Sequence, residues 1–177
     1  MATVPVTRTW VAGEVVTAAH FNTNIRDVLN FLLAPPIFQA RQTSAQSIAT
    51  ATATAVTYGT EDVDSAGGHS TVSNTSRYTA VYPGWYRRGA GHCFASNATG
   101  LRLDWMRVNA TDLNGTLTEL AAVGGGAVTA WAGRSKLVFL NVNDYSENVL
   151  YQSSGGNLST SVTTTEQPDF NMSWESN

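Results

Sequence analysis

Charged residues and cysteine are both scarce in this sequence. Asp, Glu, Lys and Arg make up only 13% of the 177 residues, about half the share usual for soluble domains. The basic residues are scattered and the net charge is −3, so nothing in the sequence attracts a polyanion and nucleic-acid binding is not expected. The single cysteine, Cys93, excludes an intramolecular disulfide and a multi-cysteine metal site. We predict that Cys93 is an ordinary buried residue of a strand.

A long apolar run is also missing. The longest one, residues 31–34, is far too short to span a membrane, so membrane insertion is not expected. The first 16 residues lack the basic and then apolar pattern of a secretory signal. We therefore expect synthesis in a cytoplasm without export by the usual route.

The patterns of common active sites are absent as well. No glycine-rich phosphate loop leads from a strand into a helix. The three histidines, His20, His69 and His92, are too dispersed for a metal site. Glycan hydrolysis needs two carboxylates roughly 5–10 Å apart in a cleft, and the sequence has a single dense acidic cluster. We expect a non-enzymatic protein, with a glycan-active depolymerase as a remote alternative.

That acidic cluster consists of Glu61, Asp62 and Asp64 beside a Gly/Ser-rich stretch, and we expect it to lie in a loop. Asp62 and Asp64 are candidate Ca²⁺ ligands because hard oxygen ligands at alternate positions suit that ion. The favoured alternative is a solvated loop with no metal. No other cofactor is expected.

A helix is indicated only at residues 17–33. The Thr17 hydroxyl can cap its start, and Pro35 and Pro36 end it because neither can donate a backbone hydrogen bond. Apolar residues recur at spacings of 3, 4, 3 and 4, the rhythm of a coiled coil held for about two heptads. This stripe consists of Ala18, Phe21, Ile25, Val28 and Leu32.

Two interpretations of the helix remain open. It could lie on its own domain, or it could associate with copies of itself. We favour self-association, because the double proline would act as a stiff spacer and so short a helix is marginal alone in water. Residues 1–16 before it form an extended arm, whose Trp10 should pack against another chain or against the domain.

The remaining residues, 37–177, read as short strands separated by Gly- and Asn-rich turns, which is typical of a β-sandwich or jelly roll. A strict period-two alternation predicts a strand run over residues 46–58. The hydrophobic content of 42% is enough to form a core. We divide the chain into an arm and helix (residues 1–36) and a β head (residues 37–177).

Parts of the head resemble the C1q/TNF-like jelly rolls. The resemblance is carried by Ile37-Phe38-Gln39-Ala40, by residues 77–86 with their Pro83-Gly84-Trp85-Tyr86 turn, and by residues 138–144. It implies a jelly-roll head that assembles as a homotrimer. Two departures concern turns: Asn143 can adopt a positive φ nearly as well as the family's glycine, whereas we do not expect Ala110 to do so.

Residues 9–36 and the stretch from Asn97 to Arg102 resemble the leader and head of small virion proteins from tailed phages. This resemblance implies a structural protein of the virion, a trimeric minor tail or fibre protein held by its N-terminal arm. Its partners would be copies of itself, other virion proteins of the tail or capsid, and a host-surface glycan or protein. A capsid decoration or head-fibre protein is the alternative.

Overall fold

Short strands occupy most of the chain after residue 36 in the computed structural model, which describes residues 3–177. Their bounds are β1 (Ile37–Arg41), β2 (Ser47–Ile48), β3 (Thr54–Ala55), β4 (Thr60–Asp64), β5 (Arg77–Thr79), β6 (Gly84–Phe94), β7 (Leu101–Val108), β8 (Thr111–Asp112), β9 (Thr118–Ala121), β10 (Thr129–Ala132), β11 (Lys136–Leu140), β12 (Tyr145–Gln152), β13 (Leu158–Ser159) and β14 (Asp169–Ser176).

These strands form two antiparallel sheets packed face to face. Sheet I has the order β10–β6–β14–β1–β4, with β11 pairing beside β10 along the same edge of β6. Sheet II is built on the pair β12–β7, with β3 and β5 on the β12 side and β8 and β9 on the β7 side. A small pair, β2–β13, joins them. The expected class, a mainly β jelly-roll sandwich with one short N-terminal helix, is confirmed.

Aromatic residues dominate the space between the sheets. Strand alternation sends every second side chain inward, which gives β6 and β14 their buried residues at Tyr86 and Phe94 and at Phe170 and Trp174. Phe38 of β1 packs edge-to-face on Phe170, with ring centroids 5.2 Å apart. Such pairs stabilise by about 0.5–1.5 kcal/mol beyond the area they bury.

The helix begins and ends as the sequence predicts. It runs through α1 (Ala18–Phe21), a π-helical turn (Asn22–Arg26) and α2 (Asp27–Leu33). The Thr17 hydroxyl accepts a hydrogen bond from the His20 N–H, and the His20 side chain accepts one from the Thr17 N–H. No helix in the described residues is long and apolar enough to cross a membrane.

The double proline does not separate the helix from the head. Phe31 packs edge-to-face on Trp174 and on Tyr82, with centroid distances of 4.8 and 5.1 Å. Buried Pro36 also accepts a hydrogen bond from the Trp174 N–H through its carbonyl. The second half of the helix therefore packs against the head.

The arm folds back along the helix. Gly13, at φ +82°, lies in a turn closed by a hydrogen bond from the Glu14 N–H to the Val11 carbonyl. An Arg8–Glu14 ion pair of 2.5 Å lies beside this turn. The reversal brings Val4 against the edge of the head core. Residues 1–2, the first part of the predicted arm, lie outside the described residues.

Three local expectations were wrong. The run over residues 46–58 is not one strand, because Ala51 adopts φ +56° and breaks it between β2 and β3. The acidic cluster does not lie in a loop, since Glu61, Asp62 and Asp64 belong to β4. Ala110 does adopt a positive φ of 62°, because the two-residue turn between β7 and β8 requires it at both positions. Asn143, at φ +73°, conforms to expectation.

Candidate functional site

Large apolar side chains are exposed on the outward face of sheet I. Four of them are each 43–44% exposed: Ile37 on β1, Trp85 on β6, and Leu137 and Phe139 on β11. We call this surface the association face. Exposed large apolar side chains grouped on one sheet face make that face a candidate interaction surface.

Strand register places Trp85, Leu137 and Phe139 on the neighbouring strands β6 and β11, and Ile37 two strands away from β6. Trp85 and Phe139 are direct cross-strand partners, with ring centroids 5.6 Å apart and planes at 75°. Leu137 lies opposite Arg87, which in turn lies opposite Ser173, and Ser173 lies opposite Ile37. Leu137 and Ile37 thus lie at the two ends of a row across four strands, with Arg87 and Ser173 between them.

Two glycines make part of the outward face of sheet I flat. Gly89 and Gly91 occupy the outward positions of β6, where alternation puts Arg88 and Ala90 inside. A Cβ on Gly89 would lie 3.2 Å from the Asn171 side chain, so the surface there is smooth but already filled. The charged residues on this face include the Arg87–Glu175 pair, joined at 3.1 Å, and Asp169, whose carboxylate lies beside Gly91. A second protein surface can approach the sheet closely at these glycines.

An exposed apolar stripe also follows the helix, but it differs from the predicted one. Ala18, Phe21, Ile25 and Leu32 are exposed as predicted, whereas Val28 is buried within its own chain. The π-helical turn at Asn22–Arg26 winds more widely than an α-helix and shifts the phase of the stripe. Leu29 and Leu33 therefore join the exposed side in place of Val28.

Trp10 packs on the helix of its own chain. Its ring lies 6.1 Å from His20 and 6.2 Å from Phe21, and the Arg8 guanidinium lies 4.8 Å from its centroid. The side chain is still 40% exposed. Part of the indole therefore remains available to a partner, and the anchoring role stays a prediction.

Polar side chains are buried between the sheets as well. Arg88 donates to the Ser146 hydroxyl, to the Asn148 side chain and, at 3.2 Å, to the Glu147 carbonyl. Its guanidinium also lies 5.1 Å from the ring centroid of Phe170. Burial lowers the pKa of Arg88 to about 10, so the side chain stays charged and ties sheet I to sheet II.

His92 and Asp104 form a second buried polar group. The His92 Nε2 and Asp104 Oδ2 atoms are 3.6 Å apart, and neither ring nitrogen of His92 has a hydrogen-bond partner in the described residues. Trp131 donates its Nε1–H to Asp104 Oδ1 at 2.6 Å. Burial lowers the pKa of His92 to about 3 and raises the pKa of Asp104. Cys93 points to the opposite face and is buried in β6, as predicted.

The carboxylates of the acidic cluster are engaged by other groups. Asp62 pairs with Arg41, and Glu61 contacts His69 at 2.8 Å. Asp64 accepts hydrogen bonds from the Gly67 and His69 N–H groups at 2.9 and 2.8 Å. Among the described residues no group of three or more His, Cys, Asp or Glu side chains could hold a metal ion. Calcium binding by Asp62 and Asp64 stays a prediction.

Sequence reasoning did not single out the association face, although a signal was present. Residues 136–140 read Lys-Leu-Val-Phe-Leu, with apolar side chains on both faces of an edge strand. In an antiparallel sheet with one solvated face, the outward positions should be polar. Apolar residues there indicate a second covered surface.

The architecture defines a two-sheet jelly roll with an apolar outer face, and similar solved structures have the same fold. The globular domain of zebrafish complement 1qA protein matches with a TM-score of 0.56 and 14% identity, over 80% of this chain and 99% of that one. Murine APRIL matches with a TM-score of 0.57 and 9% identity, over 78% and 98%. At these identities the likeness concerns the fold alone. No family model and no curated protein sequence matches the chain.

Proposed function

We propose that this protein is a non-enzymatic structural component that assembles as a homotrimer through the association face and the exposed side of the helix. The exposed apolar side chains of β6 and β11, Trp85, Leu137 and Phe139, carry the proposal together with Ile37 of β1, because a second copy can cover them. The C1q/TNF-like fold supports self-association. The exposed apolar residues of the helix are a second surface that copies of the chain could cover.

We place this trimer on the particle of a tailed phage, as a minor tail or fibre-type protein. What supports this step is the resemblance of residues 9–36 to the leaders of such proteins. The arm around Trp10 would hold the trimer to other virion proteins, and the heads would contact the host surface. Three linked heads would strengthen weak single contacts by avidity.

The assembly is tested with a charge placed on the association face. Light scattering on the purified protein should give a mass near three times 18.9 kDa. Phe139→Asp should reduce the mass toward that of one chain, because three carboxylates would be buried in the interface. Val72→Asp is the matched control, since Val72 is 90% exposed in a loop away from the face. A monomeric wild type, or a trimeric Phe139→Asp, would contradict the interface.

The helix is tested separately. Phe21→Asp should weaken assembly, whereas Asn22→Asp, in the same turn but polar already, should not. Equal effects of the two substitutions would show that the helix is not part of the interface.

The location on the particle is tested by labelling. An antibody against the head, bound to intact particles and imaged, should mark the tail; label on the capsid would favour the decoration alternative, and unlabelled particles would contradict the virion role. Deleting residues 1–16 should leave a folded trimer that no longer joins the particle. If the truncated protein still incorporates, the arm is not the anchor.

A further inference from the structure

Trp105 forms one wall of an open groove on the outward face of sheet II. Alternation along β7 buries Arg102, Asp104 and Met106 and turns Trp105 outward, where it is half-buried. The groove has a volume of about 360 Å³ and is lined by Trp105, Asp112, Leu113, Asn114, Gly115 and Leu117. It lies on the sheet opposite to the association face.

The indole of Trp105 is held in place by its neighbours. Its Nε1–H donates to Asp112 Oδ1 at 2.7 Å, and Arg107 Nε donates to the same oxygen at 2.5 Å. The Arg107 guanidinium lies 5.5 Å from the ring centroid. These contacts fix the ring before any ligand arrives, which lowers the entropic cost of binding.

The loop that completes the groove is fixed as well. The buried Thr116 hydroxyl donates to the Leu113 carbonyl at 2.7 Å and accepts from the Met106 N–H at 3.1 Å. The turn is thereby pinned to β7, and Leu117, 50% exposed, is presented beside the indole. The groove is therefore preformed in a single chain.

Polar groups in the groove remain available to a ligand. Hydrogen bonds, chiefly from Arg107, lower the pKa of Asp112, so the residue is a carboxylate at neutral pH. Within residues 3–177 its Oδ2 atom accepts no hydrogen bond, and neither does the Asn114 side chain take part in one. The groove thus offers a carboxylate oxygen and an amide next to a flat aromatic surface.

This combination fits the chemistry of a sugar ring. One face of a pyranose carries C–H groups that pack on the electron-rich face of an indole, and its hydroxyls need carboxylate and amide partners. Arg107 and Asp112 pair with each other, and the two other cations beside the groove, Lys136 and Arg134, already donate to the backbone carbonyls of Asn114 and Leu117. Each cation is thus engaged, which favours an uncharged ligand. Mostly apolar walls with a few placed polar groups are typical of small-ligand sites.

We propose that the Trp105 groove binds a neutral pyranose unit of a surface glycan. The inference rests on the proposed attachment role, which it deepens by naming the ligand class. Because the groove is built from one chain and faces away from the association face, each chain of an assembly would present one site.

The test uses methyl glycosides of glucose, galactose, mannose and N-acetylglucosamine, titrated into ¹⁵N-labelled protein. At least one should shift the Trp105 indole N–H signal saturably, with a dissociation constant in the millimolar range typical of one small site. In Trp105→Ala, which lacks the indole N–H, the backbone amide signals should no longer shift saturably on addition of the glycoside. Asp112→Asn should weaken glycoside binding by about tenfold. The signal is assigned by its loss in Trp105→Phe.

Trp85→Ala, on the association face, is the matched control and should leave per-chain binding unchanged while lowering the assembled mass. Light scattering on each variant separates the two proposals. If a monomeric protein binds a glycoside, the glycan-site proposal stands and the trimer proposal is wrong. If no glycoside shifts the Trp105 signal, or if Trp105→Ala binds as wild type does while folded, the glycan site is overturned whatever the mass.

Discussion

Replacing His92 by Phe should remove much of the acid sensitivity of this fold. His92 is only 2% exposed, and neither ring nitrogen has a partner in the described residues, so its charged form is strongly disfavoured. Its pKa falls from 6.5 to about 3, because of burial first and of the Arg88 charge second. In the unfolded chain, in contrast, His92 takes up a proton below pH 6.5.

The direction and size of the pH effect on stability follow from this difference between the folded and unfolded pKa of His92. The unfolded state binds more protons as the pH falls below 6.5, so the free energy of unfolding decreases, and the full effect is about 5 kcal/mol below pH 3. Asp104 acts in the opposite direction, because its raised pKa lets the folded state bind a proton more readily than the unfolded one. The His92 effect is therefore cleanest between pH 6.5 and roughly pH 5, where it costs about 2 kcal/mol.

Urea unfolding at fixed protein concentration measures the effect, since assembly couples to stability. His92→Phe breaks no hydrogen bond of the described residues and keeps a planar ring beside Trp131, so its stability at neutral pH should remain close to wild type. Its pH dependence over this window should be much flatter. His20→Gln, which can keep the helix-capping contact, is the control and should retain the wild-type slope. An equally steep loss in His92→Phe would refute the reasoning.

Two further predictions concern backbone positions. Gly84→Ala should destabilise the head by about 3 kcal/mol in urea unfolding, because Gly84 has φ +145° and a Cβ there would lie 2.3 Å from Trp174 Nε1. The control Gly156→Ala should change the free energy of unfolding little, since a Cβ there would have nothing within 4 Å. Equal effects of the two substitutions would contradict the packing argument. Ala110→Gly should raise the free energy of unfolding by up to about 1 kcal/mol, because it relieves the left-handed conformation of Ala110; a destabilised Ala110→Gly would show that the turn is not strained.

The sequence predicted the architecture wherever a local pattern has a physical reading of its own. Thr17 and the double proline bound the helix because capping and proline geometry act locally. Alternation in residues 101–108 gave β7 with its bounds, since one face of that strand is buried. The same alternation misled at residues 46–58, where Ala51 turns the chain although alanine carries no signal for a turn.

The interior was harder to predict because burial of charge is decided by tertiary contacts. Arg88 and Arg102 are fully buried, and nothing in their local sequence separates them from Arg87, which is exposed on the same strand as Arg88. Arg88 is tolerated inside only because sheet II supplies acceptors about sixty residues away along the chain, at Ser146 and Asn148. Such long-range partners cannot be deduced from composition or periodicity.

The association face is intermediate in how far the sequence can predict it. An apolar residue at one outward position, such as Leu137, is ordinary on a protein surface and signals nothing alone. The signal arises when register places Leu137, Phe139 and Trp85 on two neighbouring strands and Ile37 on the same sheet face two strands away. On sheet II the outward Trp105 lies opposite Val149 and is held in place by Arg107 and Asp112. One face is thus suited to a second copy of the chain, and the other to a small polar ligand.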